Sequence, residues 1–152
     1  MQTLGDFLPE ETRKQLAQGN LTIGSVLKYH VEFTKPPKEK RLIVVGFNQQ
    51  NVFFAAVLIN SQINPNIFPS AALQALHLEF EVDNRPYLDH NSFVDCSQIH
   101  QQRLDSVLQM LTAVPNAHLG HLESSDLEKV LETLRNAPTI PVYTKKEFGL
   151  AP

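Results

Sequence analysis

Two apolar runs dominate the hydrophobic pattern of the chain. Residues 41–47 read RLIVVGF and residues 52–59 read VFFAAVLI, with the polar stretch NQQN between them. Neither run alternates, and Val, Ile and Phe fill both. The pattern therefore predicts a β-hairpin whose strands are buried on both faces and turn at Asn48 to Asn51. A single buried helix would have to bury those adjacent polar residues on every side of a turn. In an antiparallel pair joined there, Arg41 and Ile59 lie at the same end of neighbouring strands.

The flanking segments carry weaker patterns. Leu27, Tyr29, Val31 and Phe33 alternate with Lys28, His30 and Glu32, which predicts a half-buried strand over residues 25–33. Pro36 and Pro37 then forbid regular pairing, so residues 34–40 read as a lysine-bearing loop. Residues 60–70, rich in Asn and Pro, read as an irregular loop followed by a helical turn at 71–76. Leu76, Leu78, Phe80 and Val82 alternate with His77, Glu79 and Glu81 as a second half-buried strand. Asp83 to Pro86 is a turn, and Ser92 to Cys96 a short apolar strand with Cys96 as a small buried hydrophobe.

The period changes in the last third. Leu104, Val107, Leu108 and Leu111 fall on one helical face, as do Leu127, Val130, Leu131 and Leu134. Ser125 and Glu128 have capping-box spacing, and Pro138 stops the second helix by Ala137. Pro9 to Gln18 reads as a short surface helix with Gly19 as a left-handed stop. Strands first and helices last predict an α+β fold, a small antiparallel SH3-like barrel or curled sheet packed with two to three helices. The expected units are a helical lead-in over 1–22, the barrel domain with its C-terminal helices over 23–137, and an extended tail over 138–152. Tyr143 and Phe148 are the residues available to dock that tail, which otherwise frays.

Composition narrows the function classes. The chain has 152 residues, a net charge of −3 and a single cysteine. Bulk charge will not hold nucleic acid, so such a site must be a local basic patch. An intrachain disulfide is impossible, Asp6, Glu10 and Glu11 interrupt any secretory leader, and no apolar run reaches membrane-spanning length. A reducing cytoplasm is the expected location, with no membrane association.

Several chemistries can be drawn from the residues. His118, His121 and Glu123 have ligand-type side chains, but Gly120 interrupts the spacing and no second pair supports a metal, so surface histidines in a turn are the expectation. His90, Ser92 and Asp95 are near in sequence only, and no nucleophile elbow or phosphate-cradling glycine loop accompanies them. Ribonucleolytic cleavage without metal or cofactor asks for less: a base for the 2′-hydroxyl, a cation for the phosphorane and a proton donor for the leaving oxygen. Arg41 is the candidate cation, His30 the acid–base group and Ser61 the hydroxyl. Each also has a bland reading, as a strand-end arginine in a salt bridge, an exposed strand histidine and a loop serine. Lys35, Lys38 and Lys40 would hold phosphates, with Asn60 and Gln62 beside them to read bases.

The same positions carry a family resemblance. Ile23-Gly24-Ser25-Val26 resembles the opening glycine and first strand of the PemK/MazF toxin–antitoxin endoribonucleases, whose fold the CcdB toxins share. Arg41-Leu42-Ile43-Val44-Val45 resembles their second strand, and Val57-Leu58-Ile59-Asn60-Ser61 the third with its terminal hydroxyl motif. Leu88 through Ser92-Phe93-Val94-Asp95-Cys96-Ser97-Gln98-Ile99 resembles the late strand ending in Gln-Ile. Leu119-Gly120-His121-Leu122 to Leu134 resembles the closing segment. A helix around Gln101 to Thr112 is inserted relative to that pattern.

The resemblance implies a metal-independent endoribonuclease toxin, a homodimer bound by an antitoxin, with Arg41 as the second-strand catalytic arginine. The position of the family's catalytic threonine holds Asn60, with Ser61 beside it. The alternative is therefore a relative that keeps the groove and has lost the chemistry, a binding or regulatory module for RNA or an acidic protein. Self-association is expected on a second ground as well, since a hairpin apolar on both faces would leave an open apolar surface in a small barrel.

Overall fold

The computed structural model describes residues 18–151. In chain order the elements are β1 (Ser25–Val31), β2 (Lys38–Phe47), β3 (Phe53–Asn60), α1 (Ala71–Gln74), β4 (His77–Phe80), β5 (Ser92–Asp95), β6 (His100–Arg103), α2 (Leu104–Ala113), a 3-10 turn (Pro115–Ala117), β7 (His118–His121), α3 (Ser124–Asn136) and α4 (Val142–Glu147). The strands form one curled antiparallel sheet in the order β4-β5-β3-β2-β1-β7, and β6 adds to β3 beyond β5. The class is α+β, with more helices than the two or three expected.

The central hairpin forms as its pattern predicts, with Arg41 opposite Ile59. Asn48 builds the turn. Its buried side-chain Oδ1 accepts from the backbone N–H of Val52 at 2.9 Å and Phe53 at 3.0 Å. Asn51 takes a left-handed φ of 56°, which Asn tolerates better than most residues. A bulge between Val44 and Gly46 re-aims the strand. A Cβ at Gly46 would collide with the Phe148 carbonyl oxygen, so the C-terminal segment crosses the sheet where only glycine fits.

Alternation along β2 and β3 divides the core into two layers. Ile43, Val45, Ala55, Val57 and Ile59 face a layer closed by Val94, Val130, Leu134, Ile140, Phe148 and Leu150. Leu42, Val44, Phe54, Ala56 and Leu58 face a second layer closed by Val107, Leu111 and Ala117. At about 25 cal/mol per Å² each layer contributes a substantial hydrophobic term. Helices of the same chain thus cover both faces of the hairpin, and the open apolar surface expected to drive self-association is absent among the described residues.

Other expectations change in detail. β1 ends at Val31, and Lys38 to Lys40 belong to β2, where they pair with Val31, His30 and Tyr29. The irregular loop is therefore shorter than residues 34–40. His118 and His121 lie in β7, paired with β1, and not in a turn. Helix α3 starts at Ser124 with Glu123 as N-cap and no side-chain cap bond. Ser125 is inside the helix, so the capping box does not form; Arg85 instead grips Asp126 in the first turn through two 3.0 Å bonds. The helix ends before Pro138 as expected. The tail is a docked helix, not an extended segment. Ile140, Phe148 and Leu150 bury it while Tyr143 stays 76% exposed. Lys145 Nζ donates to the carbonyls of Arg135 and Ala137, both at 2.8 Å, capping α3. The Pro9 to Gln18 helix lies outside the described residues except for its end; residues 18–20 are helical, and Gly19 is inside that turn with no left-handed φ.

Candidate nucleic-acid site at the end of the central hairpin

Strand β2 brings its charged N-terminal half to the end of the sheet where β3 finishes. Successive side chains on a strand point to opposite faces, so Lys40 and Arg41 part company. Arg41 belongs to the face of Ile43 and Val45. Lys40 belongs to the face of Leu42 and Val44. The single cleft expected to gather Lys35, Lys38, Lys40 and Arg41 beside Asn60, Ser61 and Gln62 is thus two sites, back to back across one sheet end.

On the first face Arg41 is held from two sides. Its Nε donates to the Tyr87 carbonyl at 2.9 Å, and a terminal nitrogen donates to Asp89 Oδ2 at 2.7 Å. The Arg41 side chain is 19% exposed and that of Asp89 71%. The hydrogen bond and charge of Arg41 hold the Asp89 carboxyl below the usual carboxylate range. Lys28 is directly opposite Arg41 and pairs with Glu39 at 3.3 Å. His30, opposite Glu39, is diagonal to Arg41, a spacing of roughly 7–8 Å that long side chains bridge. Its Nε2 lies 3.2 Å from the exposed Glu32. Ser61 follows β3 and is exposed, as are Lys35 and Gln62.

On the second face Lys40 Nζ donates to Asn60 Oδ1 across the strand pair. Burial, reinforced by Lys38, lowers the Lys40 pKa, and Asp95 opposes that shift. Behind this pair is a polar cluster that sequence reasoning missed. Asp95 accepts from the Ser97 backbone N–H at 2.9 Å and from the Ser97 hydroxyl. His77 sits opposite Asp95 in the β4–β5 register. Its Nδ1 is 3.1 Å from the Leu73 carbonyl oxygen. Its Nε2 is 3.3 Å from Asp95 Oδ1 but off the line of a hydrogen bond, and it makes no hydrogen bond to the protein. Both side chains are almost fully buried. Phe68 packs edge-on against His77 at 4.2 Å, and Phe33 stacks on His100 at 4.2 Å. Burial lowers the His100 pKa, so its ring favours the neutral form.

Alternation placed His77 on a polar face, and the signal of its burial lay in Phe68, in a loop without periodicity. Tyr87 and Asp89, the partners of Arg41, come from another such loop. The sequence neighbours His90, Ser92 and Asp95 do not form a triad. Ser92 donates to the His90 carbonyl at 2.9 Å, and Asp95 belongs with His77. His118 and His121 bond to backbone: His118 Nε2 lies 3.2 Å from the Asn20 oxygen and His121 Nε2 2.8 Å from that of Ile23. Among the described residues no group of His, Cys, Asp and Glu is arranged to hold a metal ion, and no helix is long and apolar enough to cross a membrane. Cys96 is fully buried, which pushes its thiol pKa up to about 12. No family model and no curated protein matches the chain.

Proposed function

We propose that the protein is a metal-independent endoribonuclease toxin of the PemK/MazF type, acting in the cytoplasm with Arg41 as its phosphate clamp. The observation that carries this reading is the setting of Arg41. Its Nε is anchored on the Tyr87 carbonyl, while one terminal nitrogen is paired with the exposed carboxylate of Asp89. A phosphate can replace that carboxylate without moving the guanidinium, and a preset donor costs no reorganisation as charge develops.

His30, diagonal to Arg41, takes the proton of the 2′-hydroxyl. The 2′-oxygen bonds to phosphorus, Arg41 balances the added charge, and the P–O5′ bond breaks. The departing 5′-oxygen takes its proton through the Ser61 hydroxyl, leaving a 2′,3′-cyclic phosphate and a 5′-hydroxyl. An RNA strand laid across the sheet end meets Arg41 on one face and Lys38 and Lys40 on the other. The homodimer and the acidic antitoxin partner belong to this reading through the resemblance.

RNA cleavage by the purified chain in EDTA tests it. The wild type should cut, and Arg41→Ala should lose roughly 10²–10³ in rate. Cleavage abolished by chelation, or unchanged in Arg41→Ala, removes the mechanism. One observation favours a second reading, a binding module without chemistry: Asn60 occupies the place of the family's threonine and is engaged by Lys40. RNA that is bound but never cut would select it.

A further inference from the structure

The Asp89 carboxylate lies near three side chains that can carry positive charge, and Arg41 is only the first. Lys28 is directly opposite Arg41 in the β1–β2 register, and opposed residues on one face have Cβ atoms roughly 5 Å apart. His90 follows Asp89 in the same loop. Arg41 does most to hold the Asp89 carboxyl below its usual range, and the charges of Lys28 and His90 act in the same direction. A carboxylate in this position stands where another anion can bind. We propose that Lys28 and His90 complete the Arg41 site: a phosphate replacing the Asp89 carboxylate lies between Arg41 and Lys28, and His90 Nε2 gives the departing 5′-oxygen its proton.

The inference rests on the reading that this protein cuts RNA, and it supplies the acid which that reaction needs. A serine hydroxyl can pass a proton on but is too weak an acid to be its source. The neighbours of His90 set its ring for the task. Its Nδ1 lies 2.9 Å from the Asn91 carbonyl oxygen, which can only accept. The Ser92 hydroxyl is 3.3 Å from the same nitrogen and gives its own proton to the His90 carbonyl at 2.9 Å, so it too offers only a lone pair. Nδ1 therefore carries a hydrogen, and Nε2 is the nitrogen that gains and loses one. The Asn91 side chain accepts from the Val82 N–H at 2.8 Å, which fixes the loop that carries the ring. Lys28 pairs with Glu39 at 3.3 Å, and solvent reaches both side chains. A pair of this kind adds little to stability and yields to a phosphate. Two cations match the two free oxygens of a phosphodiester, and the charge that develops at phosphorus falls between them. As the P–O5′ bond breaks, its electron pair takes the proton from His90 Nε2 and leaves the ring neutral. His90 is exposed, so water restores the proton.

The test is cleavage in EDTA of two single-stranded RNAs by the full chain, one with the ordinary 5′-oxygen at the scissile linkage and one with sulfur in its place. A thiol ionises near neutral pH, so sulfur leaves without a proton and an acid matters only for the oxygen substrate. On that substrate His90→Gln should lower kcat roughly 10²- to 10⁴-fold, lose the alkaline limb of the pH profile and keep KM near the wild-type value. It should cut the sulfur substrate at close to the wild-type rate, a rescue that a merely structural role would not give. Lys28→Gln should lower the slope of log affinity against log salt for uncleavable 2′-O-methyl RNA by about 0.7, and an unchanged slope removes Lys28 from the site. If His90→Gln cuts the oxygen substrate like the wild type, or is equally slow on both, His90 is not the acid; the Arg41 reading then stands if Arg41→Ala is inactive. If the wild type does not cut the oxygen substrate, both fall.

Discussion

Arg41 with Asp89 and His77 with Asp95 stand back to back at one end of one sheet, and they hold their carboxyl groups in different ways. Asp89 is a surface carboxylate that solvent or a ligand can replace. Asp95 is enclosed, bonded to Ser97 and pressed against a histidine that is itself covered by Phe68. An exposed partner contributes little to stability and leaves its arginine available. An enclosed partner cannot be withdrawn without stranding the groups around it. The first arrangement suits recognition of a passing anion. The second ties the loops at residues 61–70 and 96–99 to the sheet, through Phe68 on His77 and Ser97 on Asp95.

Stability measurements separate the two pairs most sharply. Asp95→Ala leaves the buried Ser97 donors without their acceptor; urea unfolding should show a loss of about 1–3 kcal/mol, the range for a buried polar group left unsatisfied. Asp89→Ala should leave the unfolding midpoint almost where it was. Equal losses at the two sites would erase the distinction.

The pH dependence of stability should divide along the same line. His100 has a folded pKa held below its unfolded value of about 6.5, so the folded state disfavours the added proton. Its contribution is present above that value and declines as pH falls through the depressed folded pKa. Asp89 also has a depressed folded pKa. Its contribution is present above about 4 and disappears only in stronger acid. Thermal melts from pH 8 to 3 should lose the first step in His100→Gln, whereas the second, from a fully exposed carboxylate, should be too small to resolve in the wild type or in Arg41→Gln.

The smallest effect concerns the lysines. Lys38→Gln should reduce the slope of log affinity against log salt for single-stranded RNA by about 0.7, one phosphate contact, with no change in the melting temperature. An unchanged slope would mean that the Lys40 face takes no part in binding.

The sequence shows unevenly how this end of the molecule is built. The hairpin, its turn and the Arg41–Ile59 register were legible because two unbroken apolar runs with a polar joint admit one economical arrangement. The two helical faces were legible for the same reason. The parting of Lys40 from Arg41 was implicit in strand alternation, but it was hidden because Lys38 to Lys40 read as loop after Pro36 and Pro37. Strands β6 and β7 are short and polar, His-Gln-Gln-Arg and His-Leu-Gly-His, and become strands only through pairing with β3 and β1. The partners of the charged groups were not legible. Tyr87, Asp89 and Phe68 reach them from irregular loops, where no period marks direction.

Asp89→Asn offers the most direct trial of the claim that Arg41 is a preset anion clamp masked by an exchangeable carboxylate. The substitution keeps the side-chain volume and removes the competing charge. Binding of uncleavable single-stranded RNA to Asp89→Asn should tighten by up to about five-fold, and the salt dependence should steepen. Unchanged or weaker binding in a variant that melts like the wild type would mean that Arg41 and Asp89 merely close the end of the sheet.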